Sequence, residues 1–125
     1  MQNAIAWFEI PVEDLERARK FYETIFAVTL HVMKAGQPGP TLALFPVDSS
    51  KGVGGALAHG RGYKPTPDGT KVYLHGGEDL GEVLSRVESA GGKIAVPKTQ
   101  ITPEFGYMGA FIDTERNWIG LHSVK

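Results

Sequence analysis

The chain has 125 residues, and its composition excludes several classes of protein. Its 13 Lys and Arg residues against 14 Asp and Glu give a formal net charge of −1, so there is no basic excess for a nucleic-acid partner. The absence of cysteine excludes disulfides, thiolate metal sites and a cysteine nucleophile. A content of 42% hydrophobic and 22% charged residues, without a long apolar run, predicts one globular cytoplasmic domain with no membrane or targeting segment.

Hydrophobic spacing predicts two amphipathic helices among short strands. Apolar residues recur at helical spacing in 14–26 and again in 79–90, where Asp79 is placed to cap the second helix. Segments between glycine and proline residues have the composition of strands. In chain order, the sequence predicts strand 4–10, helix 14–26, strands 28–33, 41–46, 53–59 and 71–75, helix 79–90, and strands 93–97, 107–112 and 117–123.

The predicted elements follow the order βαβββ twice, which indicates an internal repeat. One step of 65 residues relates three pairs of residues: Asp14 and Asp79, Asp48 and Asp113, and Gly55 and Gly120. The sequence therefore predicts two tandem modules, about 1–60 and about 70–125, joined by a linker at about 60–69 within a single domain of the α+β class.

Two stretches carry a family resemblance: V-x-D-L-x-R-A-x-x-F-Y at the first helix and D-x-x-x-N-x-I-x-L at the last strand. With the paired modules, they resemble the vicinal oxygen chelate superfamily over essentially the whole chain. That superfamily includes glyoxalases, bleomycin-resistance proteins, fosfomycin-resistance enzymes and extradiol dioxygenases. The resemblance implies cupped mixed sheets (the glyoxalase/bleomycin-resistance fold), a cleft inside the cup, and usually a homodimer.

Metal-using members of the superfamily carry one metal ligand on the first and one on the last strand of each module. The resemblance places two of these positions at Trp7 and Gly120, and the 65-residue step adds Val72 and Gly55. None of the four residues has a carboxylate, imidazole or carboxamide that could bind a divalent ion. The resemblance therefore implies that the usual site of this chain holds no metal, and we expect no other cofactor.

Relocated ligands are the alternative to an absent metal. Because strand side chains alternate, we expect the residues two positions further along to face the same side: Glu9, Leu57, Leu74 and His122. Two donors are fewer than the three protein ligands usual for a catalytic metal. A relocated site would therefore need His59 or His75, while His31 lies on an outer strand, where a solvated histidine is expected.

The same layer predicts an apolar cup that two glycines open to a flat organic molecule. The residues expected to bind it are Trp7, Gly55, Leu57, Val72, Leu74, Tyr107, Trp118 and Gly120. Glu9 and His122 would project into the cup as an acid and a base. Further polar residues could line its mouth: Tyr63, Lys64, Lys98, Glu104 and Tyr107. Structural alternatives stay open: Glu9 paired with a cation across the sheet, His122 at the rim, and both tryptophans filling the core.

Four functional interpretations follow. The first is a metal-free, homodimeric glyoxalase/bleomycin-resistance-like protein that binds a small aromatic or hydrophobic molecule. The second is a cofactor-free lyase or isomerase that uses Glu9 and His122. The third is a metal-dependent glyoxalase-like or dioxygenase-like enzyme with relocated ligands, against which the two leucines argue. The fourth is a partner-binding role in which a dimer interface buries the tryptophans. The sequence leaves open whether the two modules pair within one chain or by exchange between two.

Overall fold

The computed structural model describes residues 1–34 and 39–125. Within these residues, two helices and eight strands follow the predicted order. Their bounds are β1 Phe8–Pro11, α1 Leu15–Phe26, β2 His31–Lys34, β3 Thr41–Leu44, β4 Gly55–His59, β5 Tyr73–His75, α2 Leu80–Val87, β6 Lys93–Thr102, β7 Gly106–Ile112 and β8 Trp118–Ser123. Strand β6 runs five residues beyond its predicted end at 97. It can pass Pro97 because it is an edge strand whose register shifts there.

The strands form two mixed sheets of four, and this arrangement confirms the predicted α+β class. The order in the first sheet is β1-β4-β3-β2, and in the second it is β5-β8-β7-β6. In each sheet the first pair is parallel and the other two pairs are antiparallel. Strands β1 and β5 are therefore edge strands, and each precedes a helix in the chain.

Each helix begins at an aspartate, as the sequence predicts. The side chain of Asp14 accepts a hydrogen bond from the backbone N–H of Arg17, and that of Asp79 accepts one from Gly81. One face of each helix is buried in a core that both sheets share; its helical members are Ala18, Phe21, Tyr22, Ile25, Leu80, Val83, Leu84 and Val87. No helix in the described ranges is long and apolar enough to cross a membrane.

Strand alternation decides which side chains reach this core. Ile10 pairs with Leu57 across β1 and β4, Leu74 pairs with Leu121 across β5 and β8, and all four are buried. From Ile10 to Leu74, and from Leu57 to Leu121, the step is 64 residues, whereas the two helix caps lie 65 residues apart. The repeat interval of these core-facing strand residues is therefore one residue shorter than that of the helix caps.

The carboxylate of Glu115 joins the loop 113–117, between β7 and β8, to the start of α1. The Arg17 guanidinium donates to both of its oxygens at 2.8 and 3.0 Å, and the backbone N–H groups of Glu13 and Asp14 donate at 3.0 and 2.9 Å. Burial alone would raise the pKa of Glu115. The hydrogen bonds, led by that from Arg17, outweigh burial and lower the pKa from 4.5 to about 2.

Two further buried side chains of this loop reach other elements. The Tyr22 hydroxyl of α1 donates to Asp113 at 2.6 Å, and burial raises the pKa of this aspartate. The Asn117 amide donates to the carbonyl of Pro11 at 2.8 Å and accepts from the backbone N–H of Thr66 at 3.1 Å. The loop thus ties the end of β1, helix α1 and the segment before β5 to the start of β8.

We predict that Glu115→Gln lowers the free energy of unfolding near pH 7 by about 2 kcal/mol, a modest cost for a buried ion pair because the Arg17 side chain is half exposed. The folded pKa of about 2 lies below the ordinary value of 4.5, so the stabilisation is complete above about pH 4.5 and is lost as the pH falls towards 2. Urea unfolding between pH 7 and pH 3 measures this, and the variant should lose less stability on acidification than the wild type.

Glu104→Gln, which removes an exposed carboxylate, is the matched control and should keep the wild-type profile. The raised pKa of Asp113 affects the pH dependence of stability with the opposite sign, but it does so in all three proteins. A comparison of the three therefore isolates the contribution of Glu115. Equal acid sensitivity of Glu115→Gln and the wild type would contradict the prediction.

Candidate functional site

A cavity of about 360 Å³ lies where β1 faces the segment before β5 and the start of β8. We call it the seam cavity. Its wall includes aromatic, aliphatic, hydroxyl and charged side chains, among them Trp7, Glu9, Thr66, Lys71, Val72 and Trp118. A volume of this size is near the lower end of the range for small-molecule sites and suits a ligand of one or two rings.

Two tryptophans supply the aromatic wall of the seam cavity. Trp7 is 47% exposed and packs over Gly54, where a Cβ would lie 3.5 Å from the indole ring. Trp118 follows the anchored Asn117, and its ring meets that of Tyr73 edge-on at 5.8 Å. Both indoles lie outside the buried core, so neither serves mainly as core filling.

Glu9 lies beside Trp7 and is held by two neutral donors. The indole N–H of Trp7 donates to Oε2 at 3.2 Å, and the hydroxyl of Tyr63 donates to Oε1 at 2.7 Å. The hydrogen bond to Glu9 raises the pKa of the Tyr63 phenol, which therefore stays neutral at physiological pH. The ion pairs formed by the described residues do not include Glu9, so its pairing with a cation across the sheet is not found.

Lys71 is the second charged group in the wall, and the sequence analysis missed it. Its Nζ lies 5.4 Å from the ring centroid of Trp118, at cation–π distance, and donates to the carbonyl of Pro67. No carboxylate of the described chain pairs with it. The 64-residue step of the strands would have identified it, because that step leads from Trp7 to Lys71.

His122 does not meet Glu9. It lies on the exposed face of the second sheet, in register with His75 on β5, and its Nε2 donates to the carbonyl of Phe105 at 2.6 Å. Glu9 belongs to the first sheet and bonds to Tyr63 instead. The two residues expected to act as acid and base therefore have separate surroundings within one chain.

The strand phase differs from the expectation for several of the proposed cup residues. Leu57 and Leu74 are buried in the shared core, on the helix side of their sheets. Val72 has the same phase as Leu74 and packs partly against the core, although it also reaches the seam cavity. The cause is the one-residue difference between the step of 65 and the step of 64 that relates the core-facing strand residues, because a slip of one residue reverses the face of every side chain.

Aromatic rings from neighbouring strands cover the two repeated glycines, so these glycines do not open the cup. The ring of Phe8 covers Gly55, where a Cβ would lie 2.2 Å from it, and the ring of Tyr73 covers Gly120, where a Cβ would lie 2.5 Å away. Each glycine is paired in register with the aromatic residue that covers it. Glycine at these positions lets a ring from the parallel neighbour lie across the strand.

The other polar residues expected at the mouth are dispersed. The Nζ of Lys98 lies 4.6 Å from the ring centroid of Tyr107 on β7. The same Nζ pairs with the carboxylate of Asp79 at 2.8 Å, near the start of α2. Lys64 and Glu104 are exposed outside the seam cavity. His31 is exposed on β2, as expected. The Nδ1 of His59, which a relocated metal site could have used, lies 3.2 Å from the carbonyl oxygen of Val12.

The donor groups do not fit the divalent metal of metal-using superfamily members. The side chains of Trp7, Val72 and the two glycines, Gly55 and Gly120, offer no ligand atom. In residues 1–34 and 39–125, no group of three or more His, Asp or Glu side chains is placed to hold a metal ion. Among the described residues, the one carboxylate in the wall of the seam cavity is that of Glu9, and it accepts hydrogen bonds from a phenol and an indole.

Comparisons with known proteins agree with this fold. A family model described as bleomycin resistance protein-like N-terminal matches residues 4–29, which contain β1 and the whole of α1. A mutant of glyoxalase I from Zea mays superposes with a TM-score of 0.70 at 21% identity, covering 95% of this chain and 46% of that one. Trypanothione-dependent glyoxalase I from Leishmania major gives 0.68 at 17% identity, with 98% and 87% covered. No curated protein sequence matched.

A glyoxalase-related enzyme from Fulvimarina pelagi is also similar, with a TM-score of 0.66 at 16% identity over 98% of this chain and 88% of that one. This chain spans about half the length of the Zea mays chain. The chain therefore has the glyoxalase/bleomycin-resistance fold that the resemblance implies. At these identities the likeness is one of fold, so function must be argued from the site.

We predict that Gly55→Ala destabilises the protein by about 1–3 kcal/mol, because its Cβ would overlap the Phe8 ring and force it off the strand. Chemical denaturation of the variant and the wild type measures this difference.

Gly54→Ala is the matched control. Its Cβ would make only ordinary contacts, at 3.5 Å or more, so its stability should stay close to that of the wild type. Equal stability of Gly55→Ala and Gly54→Ala would contradict the prediction, because the Phe8 ring would then tolerate a Cβ at position 55.

Proposed function

We propose that this protein binds a small aromatic or hydrophobic molecule in the seam cavity and does so without a metal. The observation that carries this proposal is that two tryptophans, both outside the core, face one cavity of about 360 Å³. Indole rings offer large apolar faces and stack on flat ligands, and they are the side chains that most often dominate binding energy. The match of residues 4–29 to a bleomycin resistance protein-like family model is compatible with a binding role.

The anchoring of both rings supports this proposal. Glu9 fixes the indole N–H of Trp7. The ring of Trp118 meets that of Tyr73 edge-on and lies beside the ammonium group of Lys71. Because the rings are held before a ligand arrives, less conformational entropy is lost on binding.

A cofactor-free lyase or isomerase is the second candidate, and the hydrogen bond between Glu9 and Tyr63 favours it. A carboxylate with a phenol at 2.7 Å places a proton acceptor beside a neutral O–H donor at the cavity wall. In this version Glu9 acts without His122, whose nearest partner is Phe105. Turnover that survives EDTA and disappears in Glu9→Gln would favour catalysis over binding alone.

A homodimer and a cytoplasmic location stay predictions. Large hydrophobic side chains exposed on or beside the second sheet, including Tyr73, Ile101 and Phe105, favour association with a second copy.

Trp7→Ala and Trp118→Ala should each weaken the binding of an aromatic ligand such as indole by roughly tenfold, because each removes one face of the cavity. Isothermal titration calorimetry measures this without depending on tryptophan fluorescence. Phe105→Ala, which removes an exposed ring outside the cavity, is the control and should bind like the wild type. Unchanged affinity in both tryptophan variants would contradict the proposal.

Removing divalent metals should leave ligand affinity unchanged. We expect the purified, untagged protein to contain far less than one equivalent of metal by plasma mass spectrometry, and we expect EDTA to change neither its melting temperature nor its affinity for indole. Near-stoichiometric metal, or a large thermal shift with Ni²⁺, Zn²⁺ or Mn²⁺, would instead support the glyoxalase-like or dioxygenase-like interpretation.

A further inference from the structure

The seam cavity has one negative and one positive side chain in its wall, and neither has a charged partner. Glu9 and Lys71 both line it, yet no ion pair of the described chain includes either of them. The four residues outside the described ranges, 35–38, are Ala, Gly, Gln and Pro and bring no charge. The wall therefore holds two opposite charges that the protein itself leaves uncompensated.

The hydrogen bonds of Glu9 leave part of its acceptor capacity free. An ionised carboxylate has about four lone-pair sites, and Trp7 and Tyr63 occupy one on each oxygen. Both donors are neutral, so they fix the orientation of the carboxylate without cancelling its charge. An ammonium group entering the cavity would find an oriented anion beside an indole ring, and both attract cations.

Lys71 offers the complementary half of the site. Its ammonium group has three donors, and one goes to the carbonyl of Pro67. The ring of Trp118 holds the same group in place, which leaves its remaining donors for a ligand. An anionic group at this end of the cavity would pair with a lysine that has no carboxylate of its own.

From this juxtaposition we propose that the ligand is a zwitterionic aromatic molecule. Its ring lies between Trp7 and Trp118, its ammonium group faces Glu9 and its carboxylate faces Lys71. This inference rests on the proposed function, because it names the chemical class of the molecule that the seam cavity binds. It also gives Glu9 a role in ligand recognition that requires neither turnover nor His122.

Four probes that share one ring system test the proposal: indole, tryptamine, indole-3-propionate and tryptophan. Calorimetry at low ionic strength should rank tryptophan first, roughly tenfold tighter than indole, with each singly charged probe about threefold tighter than indole, since partly exposed ion pairs contribute modestly. Higher salt should reduce these differences because it screens the charges.

Two variants assign the charges. Glu9→Gln should remove the advantage of tryptamine over indole and leave indole-3-propionate unaffected, whereas Lys71→Met should do the opposite. The affinity for neutral indole reports in each variant whether the cavity is intact. Lys64→Met and Glu104→Gln, which remove exposed charges outside the cavity, are matched controls and should preserve the ranking.

The outcomes separate this inference from the proposed function. Equal affinity for all four probes would overturn the zwitterion inference while the aromatic site stands. If tryptamine bound as tightly as tryptophan, the role of Lys71 would be overturned. If indole-3-propionate bound as tightly as tryptophan, the role of Glu9 would be overturned. Binding of none of the four would overturn the proposed function itself.

Discussion

The buried polar loop 113–117 is the constraint on which the rest of the structure depends. Its Glu115 takes four hydrogen bonds from the start of α1, its Asp113 accepts one from Tyr22, and its Asn117 bridges the end of β1 and the segment before β5. A buried carboxylate is costly unless its lone pairs are satisfied, so this network holds α1 and the second sheet in one arrangement.

The seam cavity is a consequence of this arrangement. The loop ends at Trp118, and the same Asn117 that precedes it binds Pro11 at the end of β1. Trp7, four residues before Pro11, and Trp118 are therefore both brought to the wall of the seam cavity. The loop 113–117 thus positions the walls of the seam cavity, and the side chains in those walls determine what it could bind.

The fold was predictable from the sequence because periodicity, helix caps and the repeated order of elements are local signals. The site was predictable only in part. Trp7, Glu9 and Trp118, which the sequence analysis expects at the cup, do line the seam cavity, and their functional roles stay predictions. The 65-residue step fits the helix caps and relates Gly55 to Gly120, but the core-facing strand residues repeat at 64, so the step predicted the wrong face for Gly55, Leu57 and others. No local signal could have paired Tyr63 with Glu9, 54 residues away, or Arg17 with Glu115 at a separation of 98.

The most direct test of the central claim uses the only two tryptophans of the chain as reporters. Titration of ¹⁵N-labelled protein with unlabelled indole, followed by NMR, reads the indole N–H signals of Trp7 and Trp118 separately. The account predicts that both signals shift along one saturable curve with a common Kd, because both rings contact the same ligand. It would be contradicted if neither signal moved, or if the two followed different curves.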